Sequence, residues 1–425
     1  MQFKRDSRLV FLIAAFSTLL VISPAISSAA DFFQWSSVSS LNNTSSFKTG
    51  MSSDGTVIIV GKQSDGVYFS TNSGTLFSKV SSIPNGAYAV AVSADGNKMF
   101  AANRGNANVY YSVDRGVSWT NNSTAVGSSN NYASCMSGDG SVWMVGMYSG
   151  SVYTSTNNGV SWATDSNLGT QNWWSCFINY DGTKRAVLPF AGALRVSTNS
   201  GQSWTNSSTT VSDAYCVGAS NDFSNIIIGS RSGNNLYRSI NGGSTFTYAF
   251  SAAANVYGCS VSFDGSRQVA VSLNGPVYIS TDGGLGWSAE TSPGSLSWYN
   301  VTISADGLKV IAVTNSATTA YLGTINLPTT LEYVSGATSR FLINSTYSIV
   351  ARSNYAGKVT FYVNGKRIPG CISLQTQSLS ATCNFKPKVT GVASLSARIV
   401  PANGTSLAAG VTLFSALVQR RTATR

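Results

Sequence analysis

The 425-residue chain contains no histidine and only two glutamates, Glu290 and Glu332. The absence of histidine excludes Ser-His-Asp triads, Cys-His dyads and imidazole metal sites. The scarcity of glutamate leaves aspartate as almost the only carboxylate for acid and base catalysis. No Cys-x-x-Cys spacing indicates a metal site. The sequence therefore predicts no metal and no cofactor.

Charged residues are scarce as well, at 10% of the chain, whereas there are 40 glycines and 11% aromatic residues. Few Glu and Lys, with many Ser, Thr, Asn, Tyr and Val, favour short strands and tight turns over helices. The composition predicts an all-β protein that is long enough for two or three domains.

The net charge of +11 is unevenly distributed. Residues 31–326 carry 13 Lys and Arg against 14 Asp and Glu, whereas residues 327–425 carry 11 Lys and Arg against Glu332 alone. A module this basic is expected to be attracted to an anionic partner such as a cell-envelope polymer. The alternative is a solvated basic face that aids solubility. No nucleic-acid partner is expected.

Residues 1–30 have the layout of a secretory signal peptide. A basic start is followed by an apolar run over 10–23 and by the small residues Ser28-Ala29-Ala30. The run is short for a membrane span, although an uncleaved anchor is the alternative. No later segment is apolar enough to span a membrane. The sequence predicts a mature start at Asp31 and a secreted or envelope-associated protein.

A repeat of about 42 residues dominates the rest of the chain, a period typical of propeller blades. One marker is a turn that occurs seven times and has Gly after the Asp in every copy except Asp222-Phe223: Asp54, Asp95, Asp139, Asp181, Asp222, Asp264 and Asp306. A second marker is an aromatic residue: Trp35, Phe77, Trp119, Trp162, Trp204, Phe246 and Trp287. Each period can be divided into four short strands. The count predicts seven blades over residues 31–326.

The two ends of the repeat are complementary. The segment around Trp35 has the pattern of a fourth strand and precedes any turn, whereas the last period ends after its third strand at Tyr321 to Ile325. We expect the amino-terminal strand to complete the last blade and to close the ring.

The turn before each aromatic marker resembles the Asp-box, or BNR repeat, S-x-[DN]-x-G-x-[ST]-W. Good copies span 112–119, 155–162, 197–204 and 280–287, with weaker copies at 70–77 and 239–246. The group includes sialidases, xyloglucanases, sortilin-type receptors and propellers that assist photosystem II assembly. The resemblance implies a structural role for the Asp or Asn of each copy: Asn72, Asp114, Asn157, Asn199, Asn241 and Asp282.

Carry-over of a glycosidase activity would require suitable carboxylates. Once the repeated turns are accounted for, Asp65, Asp213 and Glu290 are the weak catalytic candidates, with Asp165 beside them. No partner spacing supports them, so solvated loop acids are the simpler interpretation. A sialidase-like glycoside hydrolase stays open as the alternative function.

A ligand is expected on the face opposite the Asp-Gly turns, where the connecting loops vary. Basic candidates there are Lys62, Arg104 and Arg231, and Asn172, Trp173 and Trp298 are further candidates for contact. An aromatic residue also opens the first strand of every period: Phe47, Tyr88, Tyr132, Trp174, Tyr215, Tyr257 and Tyr299. These aromatics either form a mouth that stacks on a sugar or peptide, or pack one blade against the next.

The six cysteines divide into two groups. Cys135, Cys176, Cys216 and Cys259 fall on four successive first strands, and neighbours are expected to point to different faces of their strands. This predicts buried, unpaired thiols. In contrast, Cys371 and Cys383 flank a strand pair and are expected to form a disulfide.

The last hundred residues lose the repeat. Alternating segments and an Asn364-Gly365 turn make residues 327–425 similar to bacterial immunoglobulin-like modules. The whole sequence predicts a non-enzymatic propeller that binds a glycan or protein, followed by an immunoglobulin-like spacer or adhesion module. A second alternative is an extracytoplasmic assembly factor that docks on a membrane-protein complex.

Overall fold

A computed structural model describes most of the chain. The described residues are 33–41, 45–84, 86–128, 130–290, 292–316, 320–325, 331–335, 340–353, 357–376, 380–401 and 410–420. The predicted signal peptide, residues 1–30, lies outside the described residues.

The amino-terminal part is built from short strands with two 3-10 helices, Ser39–Leu41 and Ser232–Asn234. Many small and β-branched residues separated by Gly and Asp turns favour this arrangement. The strands are β1 (Gln34–Val38), β2 (Ser46–Met51), β3 (Ile58–Lys62), β4 (Gly66–Ser70), β5 (Ser78–Lys79), β6 (Ala87–Val92), β7 (Met99–Asn103), β8 (Val109–Ser112), β9 (Thr120–Asn122), β10 (Asn131–Met136), β11 (Trp143–Met147), β12 (Val152–Ser155), β13 (Ala163–Thr164) and β14 (Trp173–Ile178). They continue as β15 (Arg185–Pro189), β16 (Gly192–Ser197), β17 (Thr205–Val211), β18 (Ala214–Ala219), β19 (Ile226–Ser230), β20 (Asn235–Ser239), β21 (Thr247–Ser251), β22 (Val256–Val261), β23 (Gln268–Gly275), β24 (Val277–Ser280), β25 (Ser288–Ala289), β26 (Leu296–Ile303), β27 (Lys309–Thr314) and β28 (Ala320–Thr324).

These strands form repeated antiparallel sheets of a β-propeller. Five sheets have four consecutive strands each: β2–β5, β6–β9, β10–β13, β14–β17 and β18–β21. The remaining strands form one eight-stranded sheet, in which the group β22–β25 is joined to the group β26–β28 with β1. The junction is a short pairing of β23 with β26, at Leu273 opposite Ser297 and Gly275 opposite Leu296.

Strand β1 pairs with β28 in antiparallel register, and Trp35 lies opposite Gly323. The predicted pairing of the two ends of the repeat is therefore confirmed. The pairing joins the ends of the propeller and leaves no free edge on β28, because β27 occupies its other side.

Two sets of turns share one face of the propeller. The turn at Asp54 is bonded to the turn after β4 by Ser73 N donating to Thr56 O at 2.9 Å, and Arg115 N donates to Asn97 O at 2.9 Å in the next sheet. We call this side the turn face and the opposite side the loop face.

A closed series of hydrogen bonds runs around the turn face and links the segments that follow strands β2, β6, β10, β14, β18, β22 and β26. We call it the hoop; all its donors are backbone N–H groups, and one acceptor is the Asn221 side chain. The bonds are Ser53 to Ala94 O (2.8 Å), Ala94 to Gly138 O (2.8 Å), Asp139 to Tyr180 O (2.8 Å), Tyr180 to Asn221 Oδ1 (2.7 Å), Asn221 to Phe263 O (2.9 Å), Phe263 to Ala305 O (2.9 Å) and Ala305 to Ser53 O (3.0 Å). The last bond returns to the residue that donates the first.

Each turn that carries the Asp or Asn motif is closed by its own side chains. In the turn at Asp114, Ser118 N and Ser112 Oγ donate to Asp114 Oδ1 at 2.9 and 2.7 Å. Gly116 takes a positive φ of 86° there. Hydrogen bonds from the Ser118 side chain, the Ser118 backbone and Ser112 lower the pKa of Asp114 to about 2.

The prediction of unpaired thiols in the propeller is wrong. Disulfides join Cys135 to Cys176 and Cys216 to Cys259, so each bond connects the first strands of adjacent sheets. Side chains that meet between two packed sheets must come from opposite sides of their own strands. On sequence alone, cysteines that point to different faces of their strands argued against a disulfide. Two cysteines on facing sheets need this orientation to form one.

The carboxyl-terminal part has two sheets of its own. Its strands are β29 (Leu331–Ser335), β30 (Arg340–Leu342), β31 (Tyr347–Ser353), β32 (Gly357–Val363), β33 (Lys366–Arg367), β34 (Leu374–Gln375), β35 (Ser380–Phe385), β36 (Gly391–Pro401) and β37 (Gly410–Gln419). Strands β29, β31 and β35 form one sheet and the other six strands form the second. A core that includes Phe341, Ile349 and Phe361 is buried, and Cys371 is bonded to Cys383 as predicted.

No helix in the described ranges is long and apolar enough to cross a membrane.

Candidate functional site: the loop-face mouth of the channel

The innermost strand of every sheet is interrupted by a bulge at one residue. In β10, for example, Asn131 pairs with Met147 and Ala133 pairs with Gly146, so Tyr132 is the extra residue at the register shift. A bulge bends the strand and redirects the side chain of the extra residue. The extra residue at the register shift is aromatic in each case: Phe47, Tyr88, Tyr132, Trp174, Tyr215, Tyr257 and Tyr299.

Six of these side chains are described and form a collar around the channel axis. The collar is Phe47, Tyr132, Trp174, Tyr215, Tyr257 and Tyr299. Neighbouring ring centroids lie 4.3 Å apart for Tyr132 and Trp174, 4.5 Å for Trp174 and Tyr215, 4.6 Å for Tyr215 and Tyr257, 5.2 Å for Tyr257 and Tyr299, and 4.8 Å for Tyr299 and Phe47. The same aromatics thus pack blade against blade and line the mouth.

The collar nearly closes the loop-face end of the channel, because the space between its rings is only about 10 Å³. Most of its members are half-buried, whereas Tyr215 is buried. Burial is the main cause that raises the pKa of Tyr215 to about 12. The collar phenols are therefore neutral hydrogen-bonding groups at physiological pH.

Arg231 lies beside the collar. Its Nε and one terminal nitrogen donate to the two carboxylate oxygens of Asp213 at 2.9 and 3.1 Å. The guanidinium carbon lies 5.5 Å from the ring centroid of Phe190 and 5.3 Å from that of Tyr215. The hydrogen bond to Asp213 raises the pKa of Arg231 further above its usual value. Arg231 is therefore held in one orientation, with its planar guanidinium beside the rings of Phe190 and Tyr215.

Arg104 occupies a related position on the other side of Trp174, beside Tyr132. It donates from Nε to Asn130 Oδ1 at 3.0 Å and lies 5.9 Å from the centroid of the Tyr132 ring. Tyr148, with 39% of its surface exposed, packs edge-on against Tyr132 and Trp174. The structure therefore brings Arg104, Trp174, Arg231 and Tyr299 of the predicted residues to one mouth.

Asn172 stabilises a loop beside this mouth. Its Oδ1 accepts hydrogen bonds from Ser149 N at 2.9 Å and Ser149 Oγ at 3.0 Å. Its backbone carbonyl accepts from Phe190 N at 2.8 Å. Asn172 fixes the loop that carries Tyr148 beside the collar.

Three of the predicted contact residues are buried instead. Trp173 and Trp298 have no exposed surface, because each directly precedes a collar residue and points between the sheets. The Lys62 side chain is 1% exposed and its Nζ donates to Leu41 O at 3.1 Å. The structure removes these three residues from the set that an external ligand can touch.

Two of the three candidate catalytic acids lie in ion pairs. Asp65 accepts from Lys79 Nζ at 2.6 Å and from the Tyr68 hydroxyl at 2.7 Å. Burial opposes the change, but these hydrogen bonds lower the pKa of Asp65 overall. Asp213 is the carboxylate that holds Arg231. Both acids thus have a local structural partner.

Glu290 and Asp165 have equivalent structural roles in different sheets. Each lies three residues after its aromatic marker and accepts a hydrogen bond from the indole Nε1 of the next marker: Trp35 donates to Glu290 at 3.1 Å and Trp204 donates to Asp165 at 2.9 Å. Burial raises the pKa of Glu290, although its hydrogen bonds act in the opposite direction. Both acids join adjacent blades.

The same position explains two unpaired indoles. In the sheet before Trp119, the residue three positions after the marker is Val80, and in the sheet before Trp287 it is Ala249. The indole nitrogens of Trp119 and Trp287 have no hydrogen-bond partner. An acid at this position therefore has a structural role, and it is present in some blades and absent from others.

Sequence reasoning missed Lys48, which lines the channel directly beneath the collar. The available signal was its position after Phe47, where the other repeats have Ala89, Ala133, Ser175, Cys216, Gly258 and Asn300. In the described ranges, no three potential metal-ligating side chains come together.

Two solved structures share the fold. YCF48 from Cyanidioschyzon merolae matches with a TM-score of 0.53 at 15% identity, over 69% of this chain and 99% of that chain. A GH74 enzyme from Niastella koreensis matches with a TM-score of 0.53 at 20% identity, over 68% of this chain. The matched part spans 44% of the GH74 chain. No protein-family model and no curated protein matches the sequence. These likenesses show a β-propeller.

Proposed function

We propose that this protein is an exported, seven-bladed Asp-box propeller that binds a glycan or a protein ligand on its loop face. The seven bonds of the hoop support the blade count. Side-chain closure of the motif turns supports the Asp-box assignment. Three disulfides are typical of an oxidising compartment and support export.

The collar is the observation that carries the binding function. Flat aromatic faces beside fixed hydrogen-bonding groups suit sugar rings and apolar peptide side chains. Trp174 offers such a face between Tyr132 and Tyr215, and Tyr148 extends it to the exposed surface. Arg104 and Arg231 add directional N–H groups on either side.

A glycan array probed with the purified full chain tests this function, followed by titration of any hit. We expect Tyr148→Ala to weaken binding about tenfold, because aromatic stacking contributes about 1 kcal/mol or more at a wet surface. Tyr248→Ala is the matched control, since Tyr248 is an exposed tyrosine on the outer strand β21. Equal losses for both variants contradict a loop-face site.

The alternative of a glycoside hydrolase is tested on a panel of aryl glycosides. Turnover that is abolished by Asp213→Asn, but not by Asp181→Asn in a repeated turn, would replace the binding function with an enzymatic one. We expect no such turnover, because Asp65, Asp213 and Glu290 each hold a structural partner.

The alternative of an assembly factor predicts capture of a membrane-protein complex from detergent-solubilised membranes in place of a glycan signal. For the carboxyl-terminal part, we propose an immunoglobulin-like spacer or adhesion module that contacts an anionic envelope polymer. Its binding to such a polymer should weaken steeply with added salt, because exposed charges are screened.

A further inference from the structure

The central channel behind the collar contains two connected cavities. The inner cavity has a volume of about 240 Å³, and a cavity of about 160 Å³ lies at the turn face within the hoop. The two share apolar lining residues that include Met51, Val92, Met136, Phe177 and Ile303. The six described collar side chains therefore leave little space at one end of the channel, and apolar side chains line its opening at the other end.

Lys48 is the charged residue of this channel. Among the described residues that line the two cavities and the collar, it alone has an ionisable ammonium or carboxylate group. It is half-buried because it borders the open space. Burial lowers the pKa of Lys48 to about 8, so most molecules carry a positive charge there at neutral pH.

The other polar side chains around Lys48 are already bonded to protein. Asn300 Oδ1 accepts from Thr49 N at 3.0 Å and from Thr49 Oγ1 at 2.8 Å. Ser134 Oγ donates to Val90 O at 2.9 Å. In contrast, the Nζ of Lys48 has no hydrogen bond or ion pair within the part of the chain that the structure describes. A charge enclosed without a partner is costly, and an anion would remove that cost.

We propose that the channel is a binding site for a small carboxylate with an apolar tail, which enters from the turn face and pairs with Lys48. A carboxylate matches the single positive charge, whereas a doubly charged phosphate would bring an unbalanced charge into the channel. The tail would lie against Met51, Val92, Met136 and Ile303, where burial of apolar surface favours binding. This site is separate from the loop-face mouth and does not depend on the function proposed for it.

Isothermal titration of the full chain with octanoate at pH 7 tests the proposal. We expect binding that Lys48→Met weakens about tenfold or more, because a charge-assisted hydrogen bond is lost. Lys48→Arg keeps the charge and should keep measurable binding. Lys184→Met is the matched control, since that lysine is bonded to Asp222 O at 2.7 Å on the turn face.

Two ligand variants separate the head group from the tail. Octanol lacks the carboxylate and should bind at least about tenfold more weakly than octanoate, and acetate lacks the tail and should also bind weakly. Inorganic phosphate that binds as well as octanoate overturns the proposal. Octanoate that binds Lys48→Met as tightly as the native chain, or that does not bind at all, overturns it too.

The pH profile gives an independent readout. Octanoate affinity should fall as the pH rises from 7 to 9, because Lys48 loses its charge over this interval. The other titratable groups that face the site are the phenols of Tyr132, Tyr215, Tyr257 and Tyr299 in the collar and of Tyr180 at the turn-face cavity. A profile that is unchanged in Lys48→Met would contradict the assignment to Lys48.

Discussion

The loop face and the turn face of the propeller differ in how regularly their contacts repeat from blade to blade. On the turn face, equivalent residues make the same backbone bond in five of the seven steps of the hoop, and the other two steps are closed by Asp139 N and by the Asn221 side chain. On the loop face, the collar repeats but its surroundings do not: Arg231 is held by Asp213, Arg104 by Asn130, and Tyr148 by a loop fixed through Asn172. Repetition marks the scaffold, and its loss marks the candidate site.

The largest expected effect is the loss of stability in a variant of a buried tryptophan, compared with a variant of the exposed mouth. Trp298→Ala should lower the free energy of unfolding by about 3–5 kcal/mol, because it leaves a cavity in the core. Denaturant unfolding measures it. Tyr148→Ala is the contrasting variant and should change stability by less than about 1 kcal/mol while weakening ligand binding. If both variants lose binding without loss of stability, the division between core and mouth fails.

The second effect concerns the disulfides that cross between sheets. Replacing Cys135 and Cys176 together by serine should lower the free energy of unfolding by about 2–4 kcal/mol, because the unfolded chain gains freedom. Chemical denaturation with and without reductant measures this difference. The native chain should lose stability on reduction, and the double variant should lose less. Equal sensitivity to reductant would show that this bond does not contribute.

A third effect tests the turns through their charge. Asp114→Asn should be nearly neutral at pH 7, because Asn157 makes the same backbone bond in the next repeat, from Ser161 N at 2.9 Å. Asp114→Ala should cost about 1 kcal/mol at pH 7, since the site is exposed to solvent.

The pH dependence of this site has a defined sign. The folded pKa of Asp114, about 2, lies below the ordinary value of 3.8 for an aspartate. Its stabilising contribution is therefore present above pH 4 and is lost as the pH falls towards 2. Unfolding curves between pH 2 and 7 should show this loss in the native chain and not in Asp114→Asn. The variant Asn157→Ala is the control, because the effect of this substitution on stability should not vary with pH.

The smallest effect concerns the link from Glu290 to Trp35. Glu290→Ala should lower the free energy of unfolding by about 1 kcal/mol, because it leaves the indole N–H of the half-buried Trp35 without its acceptor. Glu290→Gln keeps an acceptor oxygen and should cost less. Ligand binding at the loop face should be unchanged in both variants. A loss of binding with unchanged stability would return Glu290 to the functional residues.

The repeated features of the fold could be predicted from the sequence, because they appear several times and confirm one another. Trp35 and Tyr321 revealed the pairing of β1 with β28 through the phase of the repeat alone. The bulges could not be predicted in the same way, since a bulge changes the pairing without changing the residue pattern. Without them, Trp173 was the preferred candidate for ligand contact and Trp174 only a member of the repeated aromatic ring, whereas Trp173 is buried and Trp174 joins the collar.

Single residues that appear in one repeat were the hardest to interpret. Lys48 has no counterpart in the other sheets, so periodicity could only treat it as variation. Its importance depends on the channel that surrounds it, which is a property of the assembled sheets. The cysteines failed for a related reason: orientation along one strand was considered without the facing sheet.

The pairing of β1 with β28 also constrains how the molecule folds. Ser36 Oγ donates to Leu322 O across a separation of 286 residues, and the hoop closes only when the first and last blades meet. Contacts so distant along the chain form late and slowly. The intermediate blades must therefore assemble while the propeller is still an open arc with two unpaired strand edges. During folding, this arc is the state most exposed to aggregation.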